Sequence, residues 1–232
     1  MSKLNNKLTG FTLIALPLVF NIAFALLQQT FEYPDILRQS PAYVLQQFAA
    51  GGANLIGTWY VFMLSAVLFV PAAILLGRAF APHAPGLMSV AEPVGVLAGA
   101  VQFIGLARWP LVVPYLAGAY AAPESSAATR DAIVVAFEIL NRYAGMAIGE
   151  HLGYLFTGLW TLLISAALFD IAGLRLRVLF GAVGILAALG ILFGLLEGLG
   201  VEAAGVINAI SYVLWSLWLI ALGVWLLFKR AA

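Results

Sequence analysis

Runs of about twenty apolar residues recur along this chain, separated by short polar or proline-rich connections. A helix rises 1.5 Å per residue, so ~20 residues cross the ~30 Å hydrocarbon core of a bilayer. Hydrophobic residues make up 64% of the 232 positions and charged residues only 9%. A soluble domain of this size cannot hide that much apolar surface. Lipid is therefore the solvent for most of the chain, and each long run reads as a transmembrane helix.

The expected fold is all-α, a polytopic membrane protein built as a six-transmembrane-helix bundle and a single domain over 1–232. The spans fall at about 8–27, 54–77, 90–107, 147–169, 178–196 and 205–228. The first run follows Lys3 and Lys7 and contains Ala23-Phe24-Ala25, which resembles a signal cleavage triplet. Its length and the spans behind it favour a retained first helix, with Pro17 as a point of kinking. Between the first two spans, Ser40-Pro41 marks a helix start, with serine as N-cap and proline at the first helical position, and Gly51 marks a stop. Val44, Leu45 and Phe48 share a face, so this short helix is expected at the membrane interface. Ser89 and Glu92 have the spacing of a capping box opening the third span. Arg108-Trp109-Pro110 closes that span, and Pro110, Pro114 and Pro123 are expected to keep 111–125 irregular. From Ser126 to Asp170 no proline interrupts the chain, which predicts one long helix that leads into span four. A tight basic hairpin over 170–177 and a turn over 197–204 complete the connections.

Six spans put both termini on one side. With the termini in the cytoplasm, Lys3, Lys7, Arg78, Arg175, Arg177, Lys229 and Arg230 lie inside, and Arg38, Arg108, Arg130 and Arg142 lie outside. The positive-inside rule favours that orientation. Eight of the ten acids (Glu32, Asp35, Glu124, Asp131, Glu138, Glu150, Glu197 and Glu202) then fall on the outer side with both long connections. A net charge of +1 with no basic patch argues against nucleic acid. The absence of cysteine excludes disulfides, thiol catalysis and cysteine-ligated metals.

Two short motifs carry a resemblance. Phe31-x-Tyr33-Pro34-x-Ile36-Leu37 after the first span and Gly149-Glu150-His151-Leu152-Gly153 later resemble a family of bacterial integral membrane proteins defined only as a domain of unknown function. The resemblance covers most of the chain and implies a multi-span protein of the bacterial inner membrane. It implies no reaction, cofactor or catalytic residue.

The candidate ligand-binding residues are Glu150, His151, Arg108, Glu138 and Arg142. Adjacent helical residues diverge by about 100°, so Glu150 and His151 do not chelate one ion together. With two histidines in all and no HxxxH or HExxH pattern, no metal site and no cofactor are expected. Glu150 and His151 read either as residues reaching headgroups and water or as the lining of a polar cavity between helices, where a carboxylate persists only with a partner. Arg108, followed by Trp109 where span three meets the outer surface, reads either as a headgroup anchor or as the first choice of partner, with Arg142 the second. Glu150→Gln is then expected to harm ligand binding or partner retention more than folding. Asp131, Glu138, Arg142, Gly145 and Gly149 form one stripe of the long helix. It is either a solvated face with an i,i+4 pair or the rim of a binding cleft. Glu92 reads as the capping partner of Ser89. Asn208 and Ser211 read as hydrogen bonds to a neighbouring helix. The tryptophans at 215, 218 and 225 read as lipid-facing or interfacial. Gly181, Gly184, Gly190 and Gly194 give span five small faces for close packing.

These features fit an inner-membrane protein that binds or translocates a small or amphipathic molecule from an extracytoplasmic polar cavity. The alternative is an intramembrane enzyme acting on a lipid-like substrate with Glu150 or His151 as acid or base, which ranks second because no nucleophile–base pair or metal set is recognisable. A third possibility is an accessory or structural subunit forming a homo- or hetero-oligomer through the glycine-rich fifth span.

Overall fold

The computed structural model describes residues 3–171 and 176–229. Among them the secondary structure is helical, with no strand. The order is α1 (Lys3–Phe31), a 3-10 turn (Asp35–Arg38), α2 (Pro41–Phe80), α3 (Pro85–Leu111) and α4 (Val113–Ala121). Next come α5 (Ala127–Leu140), a π-helical segment (Asn141–Leu152), α6 (Gly153–Leu168), α7 (Arg177–Phe193), a 3-10 turn (Gly194–Leu199) and α8 (Ala203–Phe228). Among the described residues, six helical stretches are long and apolar enough to cross a membrane: Asn5–Phe31, Pro41–Phe80, Pro85–Ala121, Ala127–Leu168, Arg177–Leu199 and Ala203–Phe228. The chain is a membrane-spanning helical protein. Residues 172–175 of the expected basic hairpin, Arg175 among them, and Arg230 lie outside the described residues.

Local signals placed several helix ends. Ser40 Oγ accepts from the Tyr43 amide at 3.3 Å and α2 begins at Pro41. Ser126 Oγ accepts from the Thr129 amide at 3.1 Å as the N-cap of α5. The expected short helix after Pro41 is separated from span two only by a kink at Gly52, whose φ of 56° suits a residue without Cβ. Other expectations need correction. The third span starts at Pro85 rather than at Ser89, because proline suits the first helical turn. Ser89 Oγ instead donates to the Gly86 carbonyl at 2.8 Å, so Ser89 and Glu92 form no capping box. Glu92 lies beside Gly77 of α2. The stretch after Arg108 is helical rather than irregular. Pro110 falls in the last turn of α3, and Pro114 lies in the first turn of α4, where its missing N–H costs nothing. The real break precedes Pro123, with Ala122 extended. The long helix runs unbroken from Ala127 to Leu168, but its middle adopts π geometry.

The chain divides into two compact units. The first comprises Met1–Leu18, Ala66–Val101 and His151–Ala232. Its core gathers Phe69, Trp160, Ile164, Trp215, Trp218 and Leu219. Trp215 and Trp218 are thus buried, not lipid-facing, because their indole N–H groups find acceptors inside. Trp215 donates to Thr161 Oγ1 and Trp218 to the Phe180 carbonyl, both at 2.9 Å. Trp225 is half-buried with the Lys229 ammonium 4.9 Å from its ring centroid. Asn208 bonds the Ile191 carbonyl of α7 at 2.9 Å as expected, whereas Ser211 turns back to Ile207 of its own helix. The glycines of the fifth span receive neighbours from the same chain: Phe169 at Gly181, Ser165 and Trp218 at Gly184, Ser211 at Gly190 and Asn208 at Gly194.

The second unit comprises Val19–Ser65 and Gln102–Glu150. Its core is aromatic. Trp59 and Trp109 stack at 4.5 Å with an interplanar angle of 11°, and Phe31 meets both edge-on. Phe48, Phe62, Phe137 and Tyr33 complete the cluster. Such pairs add about 0.5–1.5 kcal/mol each beyond burial, and Ile36 of the 3-10 turn is buried in the same core. Arg130 of α5 donates to the Tyr120 and Ala122 carbonyls at 3.2 and 3.4 Å, where α4 ends and its free carbonyls need donors. Arg130→Ala is expected to loosen residues 119–126 by about 1 kcal/mol, read as faster amide exchange there with the rest of the chain unchanged.

Candidate functional site

The site is built where α3 meets the π segment within the second unit. A Cβ placed on Gly105 would land on the Gly149 Cα, so the two backbones touch at a glycine pair. Three residues beyond Gly105, Arg108 reaches over Gly145, where any Cβ would strike the guanidinium. The glycines of the sequence stripe therefore act as a seat. Arg108 is only 6% exposed, so it is a buried side chain and not the headgroup anchor that its place at the end of span three suggests. Its Nη1 donates to the Gly105 carbonyl and its Nη2 donates to Asn141 Oδ1 at 3.0 Å. Its Nε is buried without a hydrogen-bond partner, and the guanidinium lies 5.1 Å from the Trp109 ring centroid.

Glu150 lies within electrostatic reach of both Arg108 and Tyr33. Burial, reinforced by Glu150 and opposed by Arg108, pushes the Tyr33 phenol well above its ordinary value. The phenol therefore stays protonated across the physiological range. Tyr33 is set against Trp59 at 5.2 Å, which holds it beside this charge pair.

Next to the arginine lies a half-open cleft of about 250 Å³. Leu37, Gln39, Pro41 and Val44 line one side, and Phe137, Glu138, Asn141, Arg142 and Met146 line the other. Arg142 pairs with Glu138 at 3.4 Å, the expected i,i+4 pair, with both side chains largely exposed. Exposed pairs of this kind contribute about 0–1 kcal/mol and open readily.

The structure thus brings Arg108 and Glu150 into one electrostatic group and puts Glu138 and Arg142 on the cleft wall. His151 is exposed and belongs to the first unit. Among the described residues no three His, Asp or Glu side chains gather as metal ligands. Asn141 was missed by sequence reasoning, although it joins the buried arginine to the cleft. A polar amide beside Arg142, one turn after Glu138, was the available signal. Gly105 was also missed, since its role depends on a residue 44 positions away.

A family model described as a domain of unknown function, DUF4386, matches residues 8–229. No curated protein and no solved structure matches the chain significantly.

Proposed function

The chain belongs to the DUF4386 family, and from that premise we propose that it is a bacterial inner-membrane protein that binds an amphipathic molecule in the cleft beside Arg108. The carrying observation is the composition of the cleft. Leu37, Val44, Phe137 and Met146 provide apolar wall, and Glu138, Asn141 and Arg142 provide polar groups on consecutive turns. Apolar cavities with a few placed polar groups are how ligand sites are built. The segments that form the cleft are those the positive-inside rule assigns to the extracytoplasmic side, with both termini cytoplasmic. Binding from that side, as a receptor or as the first step of translocation, is the function this reading supports.

Two measurements test it. The chain has no cysteine, so single cysteines report topology without background. A cysteine at Ser125 is expected to react with an impermeant thiol reagent on intact cells and one at Ser2 to be protected. The reverse pattern contradicts the orientation. Native mass spectrometry of the detergent-purified protein is expected to show a co-purifying small molecule. Its occupancy should fall severalfold in Met146→Trp, which fills the cleft from a half-exposed position. Equal occupancy in both proteins would contradict a ligand in the cleft.

A further inference from the structure

The hydrogen-bond chemistry of Asn141 narrows the ligand class, on the premise that the cleft is a binding site. A guanidinium has donors and no acceptor, so the amide of Asn141 must turn its carbonyl oxygen toward Arg108, as the 3.0 Å contact has it. That leaves the NH₂ group of Asn141, a cleft-lining residue, as its remaining polar function. A donor whose own carbonyl is held by a buried cation is polarised and bonds acceptors more strongly. The neighbouring Arg142 guanidinium lines the same cleft and is 72% exposed. Gln39 supplies a further amide. Glu138 on the same wall opposes an anion, and its half-exposed side chain pairs with Arg142 at 3.4 Å until a ligand competes for the arginine.

Size adds a second constraint. Sites that engulf drug-sized ligands measure roughly 300–1,000 Å³, and this cleft holds about 250 Å³. It accommodates one end of a longer molecule whose apolar remainder lies elsewhere.

We propose that the cleft receives the anionic end of an amphiphile, a carboxylate or phosphate carrying an alkyl chain, with Asn141 as contact donor and Arg108 as a positioning residue acting through it. Arg142 contributes once its weak pair with Glu138 opens. The anion then replaces Glu138 as the arginine's partner, and the half-exposed Glu138 carboxylate is released to solvent.

The test uses the full chain in phosphatidylcholine nanodiscs, titrated calorimetrically with octyl phosphate, octanoate, octanol and octyltrimethylammonium, with empty discs subtracted. Both anions are expected to bind at least roughly tenfold more tightly than the alcohol or the cation, the scale of one charge-assisted hydrogen bond. Asn141→Asp keeps an acceptor for Arg108 and so should fold, but it removes the donor and adds negative charge. It is expected to abolish anion binding and leave octanol binding unchanged. Glu138→Gln frees Arg142 and is expected to tighten anion binding severalfold. Equal affinities for octyl phosphate and octanol would overturn the proposal. So would undiminished anion binding in Asn141→Asp or weaker anion binding in Glu138→Gln. If Met146→Trp leaves every probe's binding unchanged, the cleft itself is not the site and the broader reading falls with it. Repeating the titration in discs containing phosphatidylglycerol separates two sources of the same chemistry. Competition assigns the anion to a lipid headgroup, and its absence assigns it to a free amphiphile.

Discussion

Replacing Arg108 with leucine is expected to lower the unfolding free energy by about 3 kcal/mol or more. The guanidinium is buried and holds the Gly105 carbonyl and the Asn141 side chain. Leucine would leave both acceptors without that donor and would remove a cation from the electrostatic reach of Glu150. Removing a buried guanidinium is costly because the buried acceptors it served stay in place without their donor. The double variant Arg108→Leu with Glu150→Gln removes the Glu150 charge as well. It is expected to recover a substantial part of the loss, an interaction that denaturant titration of the two singles and the double can resolve. Strict additivity would mean that Arg108 and Glu150 do not act together.

The second large effect concerns the glycine pair. Gly105→Val places a branched side chain against the Gly149 backbone, where nothing flexible can give way. Overpacking of this kind costs about 1–3 kcal/mol and more when backbone must move. Displacing the π segment also shifts Asn141 and Arg142, so any cleft ligand should be lost together with stability. Gly118→Ala in the same unit is the control, since a Cβ there meets nothing within 4 Å. It is expected to be neutral or slightly stabilising, because alanine outperforms glycine in a helix. A thermal-unfolding comparison of the two variants decides between a tight crossing and a loose one. Similar midpoints for Gly105→Val and Gly118→Ala would contradict the crossing.

These contrasts explain which features the sequence could reveal. The six apolar stretches, the Ser40-Pro41 start and the Ser126 cap were readable because each depends on residues within one helical turn or one span. The pairing of Glu138 with Arg142 was readable for the same reason. The capping box at Ser89 misled because Pro85 is an equally local start signal four residues earlier. Trp215 and Trp218 misled because an indole in an apolar run looks alike from sequence whether it faces lipid or a neighbouring helix. Only the structure shows the Thr161 and Phe180 acceptors that keep them inside. The π register over Asn141–Leu152 shifts hydrogen bonding from i−4 to i−5 and carries no residue code of its own. It changes which side chains share a face, so the stripe drawn from α-helical spacing could place Glu138 with Arg142 but could not place Asn141 against Arg108.

The most direct measurement of the central claim is photolabelling of the full chain in nanodiscs with a diazirine-bearing fatty acid, with adducts mapped by peptide mass spectrometry. The expected result is saturable labelling concentrated in residues 37–44 and 137–146, competed by octyl phosphate and lost in Met146→Trp. Labelling spread over lipid-exposed side chains such as Leu186, Val206 and Ile210, insensitive to competitor and to Met146→Trp, would contradict a ligand site in the cleft.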